Sequence, residues 1–158
     1  GGNSERQCPC VAACCPLFSG LQHTYFNALE AQCLDELVVA TDDQRIADAV
    51  KSFGGKAVLT SDKCQNGTER CLEVLNAFKL LGRHFDIVVN IQGDEPLIEA
   101  EHIEEVVRVV AKSSAVMGTL ARPGKGEEDV TPVNNVKTVV DVNGYALYFS
   151  RALIPHNK

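Results

Sequence analysis

The segment Phe85-Asp86-Ile87-Val88-Val89-Asn90-Ile91-Gln92-Gly93-Asp94-Glu95-Pro96 restricts the fold more than any other part of the chain. Ile87, Val88, Val89 and Ile91 are too continuous a run for a strand with one wet face, and they predict a strand buried on both sides, as in a parallel sheet. The run then breaks abruptly into Gln-Gly-Asp-Glu-Pro. In open α/β sheets ligands bind just beyond the carboxyl ends of the strands. A glycine there admits a ligand close to the backbone. A carboxylate beside it is a hard oxygen ligand of the kind Mg²⁺ takes. A strand ending in a plain polar turn accounts for the segment alone equally well.

The neighbouring pattern turns this into an architecture. Leu21, Tyr25, Ala28 and Leu29 sit at helical spacing and predict a helix over 21–33. Leu37 to Ala40 reads as a short buried strand, and Thr41, Asp42 and Asp43 as helix-capping residues. Ile46, Ala49, Val50 and Phe53 form an apolar helical face that Gly54-Gly55 closes. Ala57 to Leu59 is the next strand. A polar loop follows, then a helix from near Thr68 with Cys71, Leu72, Leu75 and Phe78 on its buried face. Beyond Pro96, residues Ile103, Val106, Val107 and Val110 mark another helix. Strand followed by helix, three times over, signals α/β architecture. Val116 to Leu120 reads as one more strand, 122–135 as a loop, and Val136 to Phe149 as a hairpin turning at Asn143-Gly144. Residues 1–20 show no period and are expected to be an irregular extension, with a partial domain over 21–158.

Composition narrows the partners. At 158 residues and 45% apolar content, one globular domain with a real core is expected. The net charge of −6 disfavours a nucleic-acid backbone or an anionic membrane as the main partner. No apolar run approaches the ~20 residues that span a bilayer. Cys8, Cys10, Cys14 and Cys15 crowd together without the paired Cys-x-x-Cys spacing or histidines of a zinc site, and seven cysteines suit a reducing compartment better than a disulfide scaffold.

Three segments fall where ligand-side loops should gather. Ala40 to Asp43 serves equally as a helix cap, the commoner use of such residues. In Thr60 to Arg70, Asn66-Gly67-Thr68 offers polar donors before a helix, and Arg70 can reach a phosphate or a carboxylate. In Gln92 to Pro96, Gln92 both donates and accepts, while Asp94 suits either Mg²⁺ or a helix cap.

These segments also carry a resemblance. Val38-Val39-Ala40-Thr41-Asp42-Asp43, Asn66-Gly67-Thr68-Glu69-Arg70, Val89-Asn90-Ile91-Gln92-Gly93-Asp94-Glu95-Pro96, Val136-Lys137 and Gly144 to Arg151 with Ile154-Pro155 resemble the 3-deoxy-manno-octulosonate cytidylyltransferases, or CMP-Kdo synthetases. Cys64 and Asn66 are closer to the plant-type members. The resemblance implies a three-layer Rossmann-like nucleotidyltransferase fold, with a mixed, mostly parallel sheet and helices on both faces. It implies transfer of CMP from CTP to Kdo with release of pyrophosphate. By the same resemblance Asp94 holds Mg²⁺, Ser61, Asn66, Gly67 and Thr68 line the cytidine pocket, and Arg70 supports the nucleotide. Gln92 sits between nucleotide and sugar, as a catalytic residue with Asp94, and Arg151 faces Kdo. Family members are expected to be homodimers, cytoplasmic in bacteria and mitochondrion-associated in plants.

The family's first strand and phosphate-gripping loop, of the form Pro-Ala-Arg-x-x-Ser-x-Arg-Leu-Pro-x-Lys, have no counterpart in residues 1–20, where Arg6 is the one cation. The expectation is therefore a fold lacking its central strand, and a chain ending before a second metal-binding aspartate. Two alternatives stand beside the enzyme: a non-catalytic fragment binding nucleotide weakly, and a cytidylyltransferase for another acid sugar of the sialic acid type.

Overall fold

The computed structural model describes residues 9–15 and 20–155, and in these the chain forms two units, one ending at Gly118 and one beginning at Thr119. The first unit holds β1 (Cys10–Cys15), α1 (Leu21–Leu29), β2 (Glu36–Thr41), α2 (Gln44–Ser52), β3 (Ala57–Leu59), α3 (Gly67–Leu80), β4 (Ile87–Gln92) and α4 (Ala100–Lys112). Its four strands are all parallel, in the order β3-β2-β1-β4. The α/β class with helices on both faces is as expected.

The central strand is present over Cys10–Cys15, which corrects the reading of that stretch as part of an irregular extension and of the sheet as lacking its middle; the rest of the expected extension, residues 1–8 and 16–19, lies outside the described residues. β1 pairs with β2 through Val11 opposite Glu36, and with β4 through Cys10 opposite Ile87. Alternation divides its side chains between two cores. Cys10 and Ala12 pack with Leu21, Tyr25, Leu37, Val39, Ile46, Val50, Ile91, Ile103 and Val107 on the face covered by α1, α2 and α4. Val11 and Ala13 pack with Val38, Ala40, Cys71, Val74 and Phe78 beneath α3. Cysteine and alanine fill a strand sandwiched between helices because both are small and readily buried. Among the described residues, Cys10, Cys33, Cys64 and Cys71 are outside any disulfide.

Local signals account for most element ends. Asp43 caps α2, its Oδ1 accepting from the Arg45 backbone N–H at 2.8 Å. Gly54, at φ 84°, ends that helix, and the Gly55 N–H donates to the Val50 carbonyl at 2.9 Å. Helical faces differ from expectation by a step in phase. Thr24 is buried on α1 where Leu29 is exposed, Ala47 on α2 where Ala49 is exposed, and Val74 on α3 where Leu72 is exposed. α1 also ends at Leu29 rather than residue 33.

β4 corrects the starting inference. Val89 and Ile91 are buried against α1 and α4 and Val88 is half-buried beneath α3, but Asn90 and Gln92 further along that second face are exposed. Burial on both sides belongs to β2, every residue of which is buried. Its first residue, Glu36, is an ion-pair hub at the amino-terminal end of the sheet. One carboxylate oxygen accepts from Lys56 Nζ at 2.6 Å and the other from Arg83 Nη2 at 2.5 Å. The Arg83 guanidinium in turn lies over the rings of Phe78 and Phe85, at 4.8 and 5.4 Å from their centroids.

The predicted strand over Val116–Leu120 is not formed; Val116 is almost fully exposed and the segment pairs with nothing in the sheet. In the second unit, α5 (Glu127–Val130) precedes the predicted hairpin of β5 (Lys137–Val140) and β6 (Ala146–Ser150). Its turn is held by Asp141 Oδ1, which accepts from the backbone N–H groups of Asn143 and Tyr145 at 2.8 Å each, with Gly144 at φ 86°.

Candidate functional site at the carboxyl end of the sheet

Because the strands run parallel, the segments following β2, β3 and β4 emerge along one edge. The segment following β1, residues 16–19, lies outside the described residues.

After β3, the loop Ser61 to Asn66 is held by the first two turns of α3. Glu73 accepts from the Ser61 backbone N–H at 2.8 Å and from the Cys64 thiol at 3.0 Å. Glu69, one turn earlier, accepts from the Gln65 N–H at 2.8 Å and from Asn66 Nδ2 at 3.2 Å. Asn66 Oδ1 returns the favour as the helix cap, accepting from the Glu69 N–H at 3.0 Å. These bonds set the protonation states. The Cys64 thiol and then the Ser61 N–H hold the Glu73 carboxyl below the usual carboxylate range. Hydrogen bonding to Glu73 pushes the Cys64 thiol up. Cys64 is thus a protonated donor rather than a nucleophile at neutral pH.

Arg70, between the two glutamates, points the other way. Its Nη1 donates to Thr60 Oγ1 at 2.7 Å and its Nη2 to Asp42 Oδ2 at 2.8 Å, tying the segment after β2 to the one after β3. The guanidinium holds the Asp42 carboxyl below its ordinary value. Arg70 therefore reaches a carboxylate of its own chain. Asp43 is the cap expected of it, and hydrogen bonds from Arg45 bring it down to about 2.

After β4, Gln92 and Asp94 are exposed while Gly93 between them is buried. The loop is fastened to α1: Thr24 Oγ1 donates to the Gly93 carbonyl at 3.3 Å, and Asn27 Nδ2 to the Pro96 carbonyl at 3.0 Å. Gly20, capping α1 at φ 114°, lies so near that an added Cβ would stand 3.4 Å from Pro96. Asp94 is an exposed hard carboxylate here with Glu95 beside it in sequence, and the described residues contain no cluster of three metal-ligating side chains. That donor set fits Mg²⁺, which commonly uses one or two carboxylates with water and substrate phosphates completing its shell.

The topology thus assembles Ser61, Asn66, Gly67, Thr68 and Arg70 around the start of α3. Gln92 and Asp94 lie at the end of β4, three strand spacings or ~14 Å across the sheet from β3. Arg151 belongs to the second unit, where its Nη1 donates to the Val133 carbonyl at 3.2 Å. Sequence reasoning missed Glu73, Thr24 and Asn27. Glu73 carried a readable signal: it lies four residues after Glu69 on a helix that follows a donor-rich loop.

A parallel α/β sheet with polar loops gathered at one edge is a common ligand-binding layout, and the family model for cytidylyltransferases matches residues 20–158. The chain belongs to the cytidylyltransferase family. Among curated relatives it is 49% identical over 138 residues to the 3-deoxy-manno-octulosonate cytidylyltransferase of Zea mays, covering 87% of this chain and 45% of that one. It is 50% identical over 139 residues to the mitochondrial one of Arabidopsis thaliana, covering 87% and 47%. For that of Thermodesulfovibrio yellowstonii the identity is 45% over 143 residues, covering 87% and 55%. The chain therefore spans about half the length of these relatives. A solved structure of CMP:2-keto-3-deoxy-manno-octonic acid synthetase complexed with CTP matches with a TM-score of 0.77 at 29% identity, over 94% of this chain and 66% of the other.

Proposed function

We propose that this chain handles the nucleotide in CMP transfer from CTP to 3-deoxy-manno-octulosonate, with release of pyrophosphate. The observation that carries the reading is the pair of anchored loops along one sheet edge, in a chain 45–50% identical to relatives named for this reaction. The ~14 Å between them leaves room for a nucleotide laid across β2 and β1. Ser61, Asn66, Gly67 and Thr68 bind the cytidine half, where the start of α3 offers backbone N–H groups. Arg70 acts through Asp42 and Thr60, joining the segments that border the base. Gln92, exposed at the end of β4, faces the junction of phosphate and sugar. Asp94 would hold Mg²⁺, which would supply positive charge to offset that of the departing pyrophosphate. The attacking group is the sugar's anomeric hydroxyl, and the protein's part is positioning and charge stabilisation rather than covalent help. For Arg151 as a Kdo-side residue, resemblance is the whole support. A homodimer in an aqueous compartment, cytoplasm or mitochondrion, completes the reading; no described helix is long and apolar enough to cross a membrane.

A thermal melt with Mg²⁺, CTP and both together tests it. Ligand at ~100 times Kd adds about 2.7 kcal/mol to stability. The expected result is a rise with Mg²⁺ plus CTP that exceeds CTP alone, a difference that Asp94→Asn abolishes. No movement with either ligand overturns the reading. Turnover with Kdo and with a sialic acid then identifies the sugar.

A further inference from the structure

We propose that Glu73 is a positioning residue for the nucleotide base: its carboxylate fixes the loop Ser61–Asn66 in the shape that receives the cytidine half, without itself touching the ligand. This rests on the reading of that loop as the cytidine site. Glu73 stands in the second turn of α3, half-buried, and both its oxygens are used inward, one on the Ser61 N–H and one on the Cys64 thiol. Glu69 holds the other end of the same loop through Gln65 and Asn66. Two carboxylates four residues apart on one helix repel each other, a cost helices avoid on a plain solvated face. Here each is matched by donors from one six-residue segment, so the loop is clamped at both ends against a rigid helix. A loop without regular structure otherwise loses ordering entropy when it binds, and holding it beforehand raises affinity by removing that loss. The contacts are short-range and local, so the effect belongs to this loop alone.

Amide hydrogen exchange on the whole chain, without ligand, reads the clamp directly, and CTP titration with Mg²⁺ reads its consequence. Glu73→Ala is expected to speed exchange at Ser61–Asn66 by roughly ten- to a hundredfold, the scale of losing two partly solvated hydrogen bonds, one of them from a thiol. Exchange in β1 and β2 should stay unchanged. CTP affinity should fall by about tenfold or more, mostly through a faster off-rate. Glu73→Gln keeps an acceptor for the Ser61 N–H and should recover part of both effects, while Cys64→Ala, losing one bond, should produce a fraction of them. Unchanged loop exchange in Glu73→Ala overturns the proposal. So does loosening spread evenly over the sheet, which marks a merely structural residue, or a loosened loop with unchanged CTP affinity. Should the wild-type chain bind no CTP, the function reading and the ligand half of this inference fall together, and exchange still decides whether the clamp exists.

Discussion

Replacing Glu36 by glutamine keeps the shape of a buried side chain and removes its charge. The carboxylate is 6% exposed, whereas its partners Lys56 and Arg83 are 68% and 44% exposed. A hydrogen bond to a charged group contributes about 1.5–3 kcal/mol when buried. The wet donors reduce each bond to about 1 kcal/mol. The amide also turns an N–H₂ toward a cation, so the expected loss is about 2 kcal/mol at pH 7. For a chain of this size that lowers Tm by roughly 4–8 °C. The wild type should lose the same increment in acid. Burial raises the Glu36 pKa, but hydrogen bonds from Lys56 and Arg83 outweigh it and leave the net value lowered. An acid with a depressed folded pKa stabilises fully above its unfolded value, ~4.3, and that stability disappears as pH falls through the folded value. Circular-dichroism melts of both proteins between pH 7 and pH 3 should therefore converge on the acid side. A Glu36→Gln melt within 2 °C of wild type at pH 7, or parallel acid curves, would refute the argument.

Arg70→Ala should cost about 1.5–2 kcal/mol in chemical denaturation, because Thr60 is left buried without its donor while Asp42 is merely rehydrated; an unchanged midpoint contradicts the latch. Arg70→Lys, a point charge that cannot fork, should recover less than half of that loss. Gly55→Ala should destabilise by about 1–3 kcal/mol, since an added Cβ would stand 2.7 Å from Val50 Cγ1 and Val50 is fully buried; a neutral melt would mean that α2 shifts freely. Thr24→Val keeps the volume of a fully buried residue but removes the donor to the Gly93 carbonyl. It should cost about 1 kcal/mol and weaken Mg²⁺-dependent CTP binding, as titration would show; affinity equal to wild type would detach α1 from the Asp94 loop.

The elements read correctly from sequence are those with local causes. Asp43 caps α2 because its own side chain reaches the next turn, and Asn143-Gly144 turns the hairpin because Gly144 takes a positive φ. The failures have non-local causes. Cys10-Val11-Ala12-Ala13 has few β-branched residues and becomes a strand because β2 and β4 offer it backbone partners on both sides. Val116 to Leu120 has the composition of a strand and no such neighbour. Thr24, which the apolar pattern of α1 does not include, is buried with its one hydroxyl within hydrogen-bond reach of the Gly20 and Gly93 carbonyls. Asn66 and Arg70 stood out as candidates by residue type and order and Ser61 by resemblance alone, whereas the bonds that Glu73 makes to their loop are seen in its distances.

β2 begins at Glu36 and ends at Thr41, five residue steps or ~17 Å apart. At the start stands a charge cluster braced by aromatic rings; at the finish begin the segments of the proposed nucleotide site. Changes more than ~10 Å apart and sharing no partners add independently. One strand therefore separates two tasks that proteins often force into competition. Substitutions that loosen or reshape the loops for a new nucleotide or sugar can be compensated by strengthening the opposite end. The sheet thereby lets a loss of stability at its loops be offset at its far end.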